Sequence, residues 1–252
     1  MNKSCYAFIA VSASFLFLFF SSNSGLAQSD AQRCEKEKGD IAISACSEVI
    51  KSNPKATYAY LRRGYEYFSR GSIEEPINDF NEAIKLDPSN PIAYHLRGMS
   101  LMNLILEENS IERAIADFSE AIRLKPDLAD AYHERESAWQ MLEKLDRAIA
   151  DLNQAIRLNP SLADAYNRRG DIFLQQKRYE EALIDFNAGL RINPNSLLSF
   201  YAFMGRGEIL ERKGDLHSAL LSYQEYGKRA PNNLRVHDAI KRVQEKLSKL
   251  QN

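Results

Sequence analysis

The sequence predicts an all-α solenoid, a row of helix-turn-helix units that each bury an apolar face against the next and end on a capping helix. Three observations carry this. Proline recurs at Pro54, Pro88, Pro126, Pro160, Pro194 and Pro231, at intervals of 34, 38, 34, 34 and 37 residues. A period near 34 is a solenoid period. Between prolines, two segments reappear in register. The first halves read AYLRRGYEYF from Ala59, AYHLRGMSLM from Ala93, AYHERESAWQ from Ala131, AYNRRGDIFL from Ala165 and AFMGRGEILE from Ala202. The second halves read EEPINDFNEAIKLDP, ERAIADFSEAIRLKP, DRAIADLNQAIRLNP, EEALIDFNAGLRINP and HSALLSYQEYGKRAP. Each half spaces its apolar and small residues at helical intervals, so each unit is two helices, A and B.

The elements follow in order. Residues 1–27 lead from Lys3 through the apolar run Cys5–Phe20 to the small residues Gly25 and Ala27, the pattern of a secretory signal cleaved after Ala27. That places the protein in the periplasm or outside the cell, with no membrane anchor after cleavage. A retained anchor is the alternative, against which the apolar run falls short of the ~20 residues a span needs. Cys5 stands at the wrong end of the run for a lipidation box. Residues 28–54 form an incomplete first unit, with a short helix A over 30–38 and a helix B from Gly39. Its Cys34 and Cys46 are the two cysteines outside the leader. A half-unit at the open end lacks a neighbour, and a disulfide between its helices would hold it closed. Two unpaired thiols are the other reading. Five full units follow, over 55–88, 89–126, 127–160, 161–194 and 195–231. In 232–252, Val236, Ile240, Val243 and Leu247 share one face opposite Lys and Arg, as a capping helix requires. The chain's formal net charge of −1 leaves no electrostatic footprint for nucleic acid.

The register resembles the tetratricopeptide repeat family, in an exported bacterial form. Its early aromatic falls on Tyr60, Tyr94, Tyr132, Tyr166 and Phe203, and the small residue of helix A on Gly64, Gly98, Gly170 and Gly207. In helix B, its first Ala falls on Ala114, Ala148, Ala182 and Ala219, and its large residue on Phe80, Phe118, Leu152, Phe186 and Tyr223. Its second small residue falls on Ala83, Ala121, Ala155 and Gly189. The resemblance implies a right-handed α-solenoid whose concave face, lined by helices A, holds a segment of a partner protein. Three positions depart from the pattern: Glu136 replaces Gly, Pro76 replaces Ala, and Tyr226 replaces a small residue. Pro76 falls in a first helical turn, where it costs little. Glu136 and Tyr226 predict looser helix pairing. The second unit has four extra residues within NLILEENSIE and the fifth three within NSLLSF, both expected as loop bulges.

The implied groove changes along its length. Tyr58, Leu61, Tyr65, Phe68, Ile92, His95, Met99 and Met102 make one end apolar and aromatic, whereas Asp130, His133, Asp164, Asn167, Asp171, Glu208 and Glu211 make the other acidic. The Lys and Asn positions by which some family members clamp a terminal carboxylate are not matched. Arg63, Arg97, Arg135 and Arg169 recur with Asp79, Asp117, Asp151 and Asp185, which predicts ion pairs within each unit. A ladder of arginines for an anionic polymer is the alternative. Arg206 meets Ser222 in place of Asp and is the arginine expected to be free. His95 and His133 hold the same position in adjacent helices without a metal-ligand set around them. No phosphate loop, nucleophile elbow or CxxC occurs. The expectation is a non-catalytic module with no cofactor or small-molecule substrate, binding another protein. A structural or self-assembling role through the convex face is the second reading.

Overall fold

The computed structural model describes residues 24–104 and 107–251. Among these residues there are thirteen helices and no strand. Helix α1 (Ser24–Lys36) and α2 (Gly39–Ser52) make the incomplete first unit. The full units pair α3 (Thr57–Ser69) with α4 (Glu74–Leu86), α5 (Pro91–Met102) with α6 (Ser110–Leu124), and α7 (Ala129–Met141) with α8 (Leu145–Leu158). They continue with α9 (Ala163–Gln175) and α10 (Tyr179–Ile192), then α11 (Leu197–Lys213) and α12 (Leu216–Arg229). Helix α13 (Leu234–Gln251) ends the array. Each helix packs on its sequence neighbours, and helices A also touch along their own row, most closely between α9 and α11. Residues 1–23 of the expected leader lie outside the described residues, and Ala27 falls within α1.

Local chemistry sets the breaks. At the end of four of the six helices B an Asn or Asp precedes proline, and its side-chain oxygen accepts the N–H two residues on; Lys125 and Ala230 hold that place in the other two. The distances are 3.2 Å at Asn53 and 3.1 Å at Asp87, Asn159 and Asn193. The proline bars the helical conformation for the residue before it and the Asx turn fixes the exit. Between helices A and B the chain passes through the left-handed region once per full unit, at Gly71, Asn109, Glu143, Lys177 and Gly214. Glycine takes that conformation freely, while a Glu or Lys there is strained.

In four of the five full units a glycine of helix A faces the aromatic ring of helix B. A Cβ on Gly64, Gly98, Gly170 or Gly207 would lie 2.6–2.8 Å from the ring of Phe80, Phe118, Phe186 or Tyr223. The third unit carries Glu136 in place of that glycine. Glu136 is wholly buried there, and the ring opposite is replaced by Leu152, also wholly buried. A larger side chain on one helix is matched by a smaller one on the other. Tyr226 is likewise buried and stacks on Phe200 with ring centroids 4.2 Å apart.

The extra residues of the fifth unit form no bulge. They extend α11 by an N-terminal turn, capped by the Ser196 side chain on Ser199 N–H at 3.0 Å. The extra residues of the second unit do lie between its helices, around Asn109. In the first unit, helix A begins before the expected residue 30 and ends at Lys36. The Sγ atoms of Cys34 and Cys46 lie at bonding distance, 2.01 Å, with the two Cα atoms 4.7 Å apart.

Candidate functional site: the concave row of helices A

The row formed by α3, α5, α7, α9 and α11 presents one set of side chains per unit. On α3, Tyr58 is 41% exposed and Leu61, Tyr65 and Phe68 are half-buried. On α5, Ile92, Met99 and Met102 are half-buried, and both methionines also pack on the cluster of Leu101, Phe118 and Ala138, so they serve the core as well as the surface. His95 sits beside Phe118, centroids 6.0 Å apart. Burial pushes its pKa down against the opposing pull of Glu134 and Asp130, which keeps the ring neutral near pH 7. His133 Nδ1 is 3.5 Å from Glu134 Oε1, and Asp130 is exposed. Among the described residues no group of three or more His, Cys, Asp or Glu could hold a metal ion.

The acidic side chains of the row differ in their surroundings. Asp164 accepts from Ser196 Oγ at 2.8 Å. Glu208 faces Arg235 of the capping helix at 3.3 Å. Glu211 accepts from Arg242 at 2.8 and 2.7 Å, from Lys246 at 2.7 Å and from Tyr223 Oη at 3.0 Å. The Arg242 hydrogen bonds, with those of Lys246 and Tyr223, hold its carboxyl at about 2. Asp171 stands apart: among the described residues no hydrogen bond or ion pair reaches its carboxylate. Burial, only partly offset by Arg168, pushes its pKa up to about 6. It lines a cavity of about 300 Å³ with Gln140, Arg168, Leu174, Gln175 and Leu198, where α7, α9 and α11 meet.

On the other side of helices A runs a line of arginines. Arg63, Arg97, Arg135 and Arg169 each donate two hydrogen bonds to one carboxylate, Asp79, Asp117, Asp151 and Asp185 respectively, at 2.6–2.9 Å. The geometry is the bidentate fork that suits guanidinium to carboxylate. Each also donates to the preceding helix B, to Ser47, Asn81, Ser119 and Asn153 in turn. Each guanidinium lies 5.7–5.9 Å from the centroid of its unit's early tyrosine. With both ends engaged, these side chains are part of the frame.

Two segments match models of the repeat family: residues 64–104 the model described as TPR repeat, and residues 140–196 that described as tetratricopeptide repeat. The chain is a tetratricopeptide-repeat protein. Solved tetratricopeptide structures superpose on most of the array. YrrB, described as having an unusual peptide-binding site, is 21% identical with a TM-score of 0.65, covering 79% of this chain and 99% of that one. A MamA structure is 24% identical at 0.61, covering 72% and 97%. PilF of Pseudomonas aeruginosa is 19% identical at 0.62, covering 79% and 93%.

Three expectations for the tetratricopeptide array need correction. Asn167 lines nothing: it is wholly buried between repeats, donates to Ser199 Oγ at 2.9 Å, and occupies space left by Gly189, where a Cβ would lie 2.1 Å from its Oδ1. Glu211 and Glu208 are drawn to the capping helix, so the acidic end is largely neutralised from within. Arg206 is not free, since it donates to Ser222 Oγ at 3.0 Å and Asn187 Oδ1 at 3.4 Å, although burial pushes its pKa down in the absence of a paired carboxylate. The sequence reading also passed over groove residues. Tyr201, 50% exposed, repeats the position of Tyr58; Met204 repeats that of Leu61; Leu174 and Gln140 repeat that of Phe68. The repeat register itself was the signal for them.

Proposed function

We propose that this protein is an exported, non-catalytic adaptor that holds an extended segment of another protein along the row of helices A. The architecture is that of a protein–protein interaction repeat module. The observation that carries the reading is the set of partly exposed aromatic and apolar side chains at the groove positions of α3, α5 and α11, among them Tyr58, Tyr65, Phe68, Ile92, Tyr201 and Met204. Aromatic anchors with an apolar body and a polar tip supply much of the energy of such interfaces. The peptide-binding site described for YrrB, a similar array, favours the same use of the fold.

Export is supported by the leader pattern of residues 1–27 and by Cys34 and Cys46, which stand at bonding distance where an oxidising compartment would join them. No described helix is long and apolar enough to cross a membrane. The second reading, self-association through helices B, has one observation in its favour: Ile184 on α10 and Leu221 on α12 are 67% and 61% exposed. A photo-crosslinking amino acid placed at Tyr58, Phe68 or Ile184 in living cells separates the two. The adaptor reading expects a discrete partner band from Tyr58 and Phe68. A cross-link to a second copy of the chain, from Ile184 alone, overturns it.

A further inference from the structure

Two departures from the repeat pattern, far apart in sequence, meet at one place. The extra turn of α11 supplies Leu198, and the Glu136 that replaces glycine in α7 holds two neighbours: its Oε1 accepts from Gln140 Nε2 and its Oε2 lies 3.4 Å from Arg168 Nη1. Both neighbours line the cavity that also contains Asp171. Departures from a repeated local rule are where functional sites are to be sought. Glu136 and Arg168 cancel in charge, which leaves the Asp171 carboxylate as the net charge of the cavity. Three residues of its lining carry acceptors: Asp171, Gln140, whose Nε2 is committed to Glu136 and whose Oε1 is left over, and Gln175. Leu174 and Leu198 provide apolar walls. Arg168 Nε is buried and has no acceptor.

We propose that this cavity is a specificity pocket for one lysine side chain of the bound segment. The ammonium carries three donors for three acceptors. Its methylene stem lies along Leu174 and Leu198, as long basic side chains do on apolar surface. Arg168 Nε–H, being buried, takes no part in holding the segment. Glu208 and Glu211 take no part, because the basic residues of α13 already occupy them. The inference rests on the groove reading above and adds the identity of one contacted side chain.

The test uses the protein as isolated from the cell, with leucine methyls labelled for NMR, and two capped tripeptides, acetyl-Ala-Lys-Ala-amide and acetyl-Ala-norleucine-Ala-amide. The lysine peptide should shift the methyls of Leu174 and Leu198 saturably, and Asp171→Asn should weaken that binding about tenfold, the scale of one charged hydrogen bond. The norleucine peptide should bind no better to the wild type than to the variant. Absence of a saturable shift with the lysine peptide, equal binding of the norleucine peptide, or undiminished binding by Asp171→Asn each overturns the pocket. Thermal melts establish that the variant is folded. A partner that still cross-links at Tyr58 and Phe68 in such a case leaves the groove reading standing without the pocket.

Discussion

Replacing Asp171 by Asn should stabilise the protein, and only above about pH 4. A free carboxyl titrates at an ordinary value of 3.8, whereas burial raises that of Asp171 to about 6 in the folded chain. The folded-state value lies above the unfolded one. The native form is therefore favoured while the group is protonated and loses that advantage as pH rises from about 4 through 6. Two units correspond to ~3 kcal/mol at most, and water at the cavity mouth screens part of it, so ~1–3 kcal/mol is expected. Asparagine keeps the shape and removes the ionisation. Urea unfolding followed by circular dichroism, run on both proteins at each pH unit from 4 to 8, isolates this residue because every other titrating group cancels in the difference. The two curves should coincide near pH 4 and separate through pH 6, with the variant more stable. A difference that stays at zero across the range, or a variant less stable at pH 7, refutes the argument that the carboxylate is buried without adequate compensation. A site that lowers stability in the absence of its ligand is the usual cost of function.

Arg169→Ala and Asp185→Ala should each cost ~2–4 kcal/mol, since either leaves a desolvated partner from a pair only 19% and 3% exposed, and a double-mutant cycle should give strong coupling rather than additivity. Gly170→Ala should cost ~1–3 kcal/mol by driving a Cβ to 2.8 Å from the Phe186 ring, and Phe186→Leu in the same chain should recover part of it, as Leu152 accommodates Glu136; midpoints of thermal unfolding read both. Lys177→Gly should raise stability by ~1 kcal/mol, because the residue holds a φ of 60° in its turn, and a lower unfolding midpoint would count against strain there. Under non-reducing conditions the folded protein should show no reactive thiol at Cys34 or Cys46, and reduction should cost ~3 kcal/mol, confined to α1 and α2 in hydrogen exchange; two labelled thiols contradict it.

The frame was legible because a solenoid repeats the same local physics. Gly64 and Phe80, or Arg169 and Asp185, occupy fixed places in each unit, so five copies of one rule could be read against each other. The linkage between units could have been read too, since each paired Asp is followed two residues later by Asn or Ser, at Asn81, Ser119, Asn153 and Asn187, and the next arginine reaches that residue. The groove was legible only in part. Position alone could not tell that Asn167 turns inward against Gly189, because the other units place Leu61, His95, His133 or Met204 there. Nor could the repeat rule foresee the capture of Glu211 by Arg242 and Lys246, which belong to a helix outside the repeat. The Asp171 cavity lies furthest from sequence reasoning. It is made by departures from the pattern, and their meeting point depends on how α7, α9 and α11 pack side by side.

Each arginine of the frame spans two consecutive helices B through one rigid guanidinium, holding its own unit's Asp and the previous unit's Asn or Ser. One side chain thus acts as a spacer bar, and a series of such bars sets the pitch at which the superhelix advances. Pitch is dictated on one flank of helices A while recognition residues occupy the other. Substitutions at Tyr65, Met99 or Asp171 can therefore change what the array holds without changing the interval at which its contacts are offered. A change at Asn81 or Asn153 should do the reverse, shifting that interval while leaving the contacting side chains as they are.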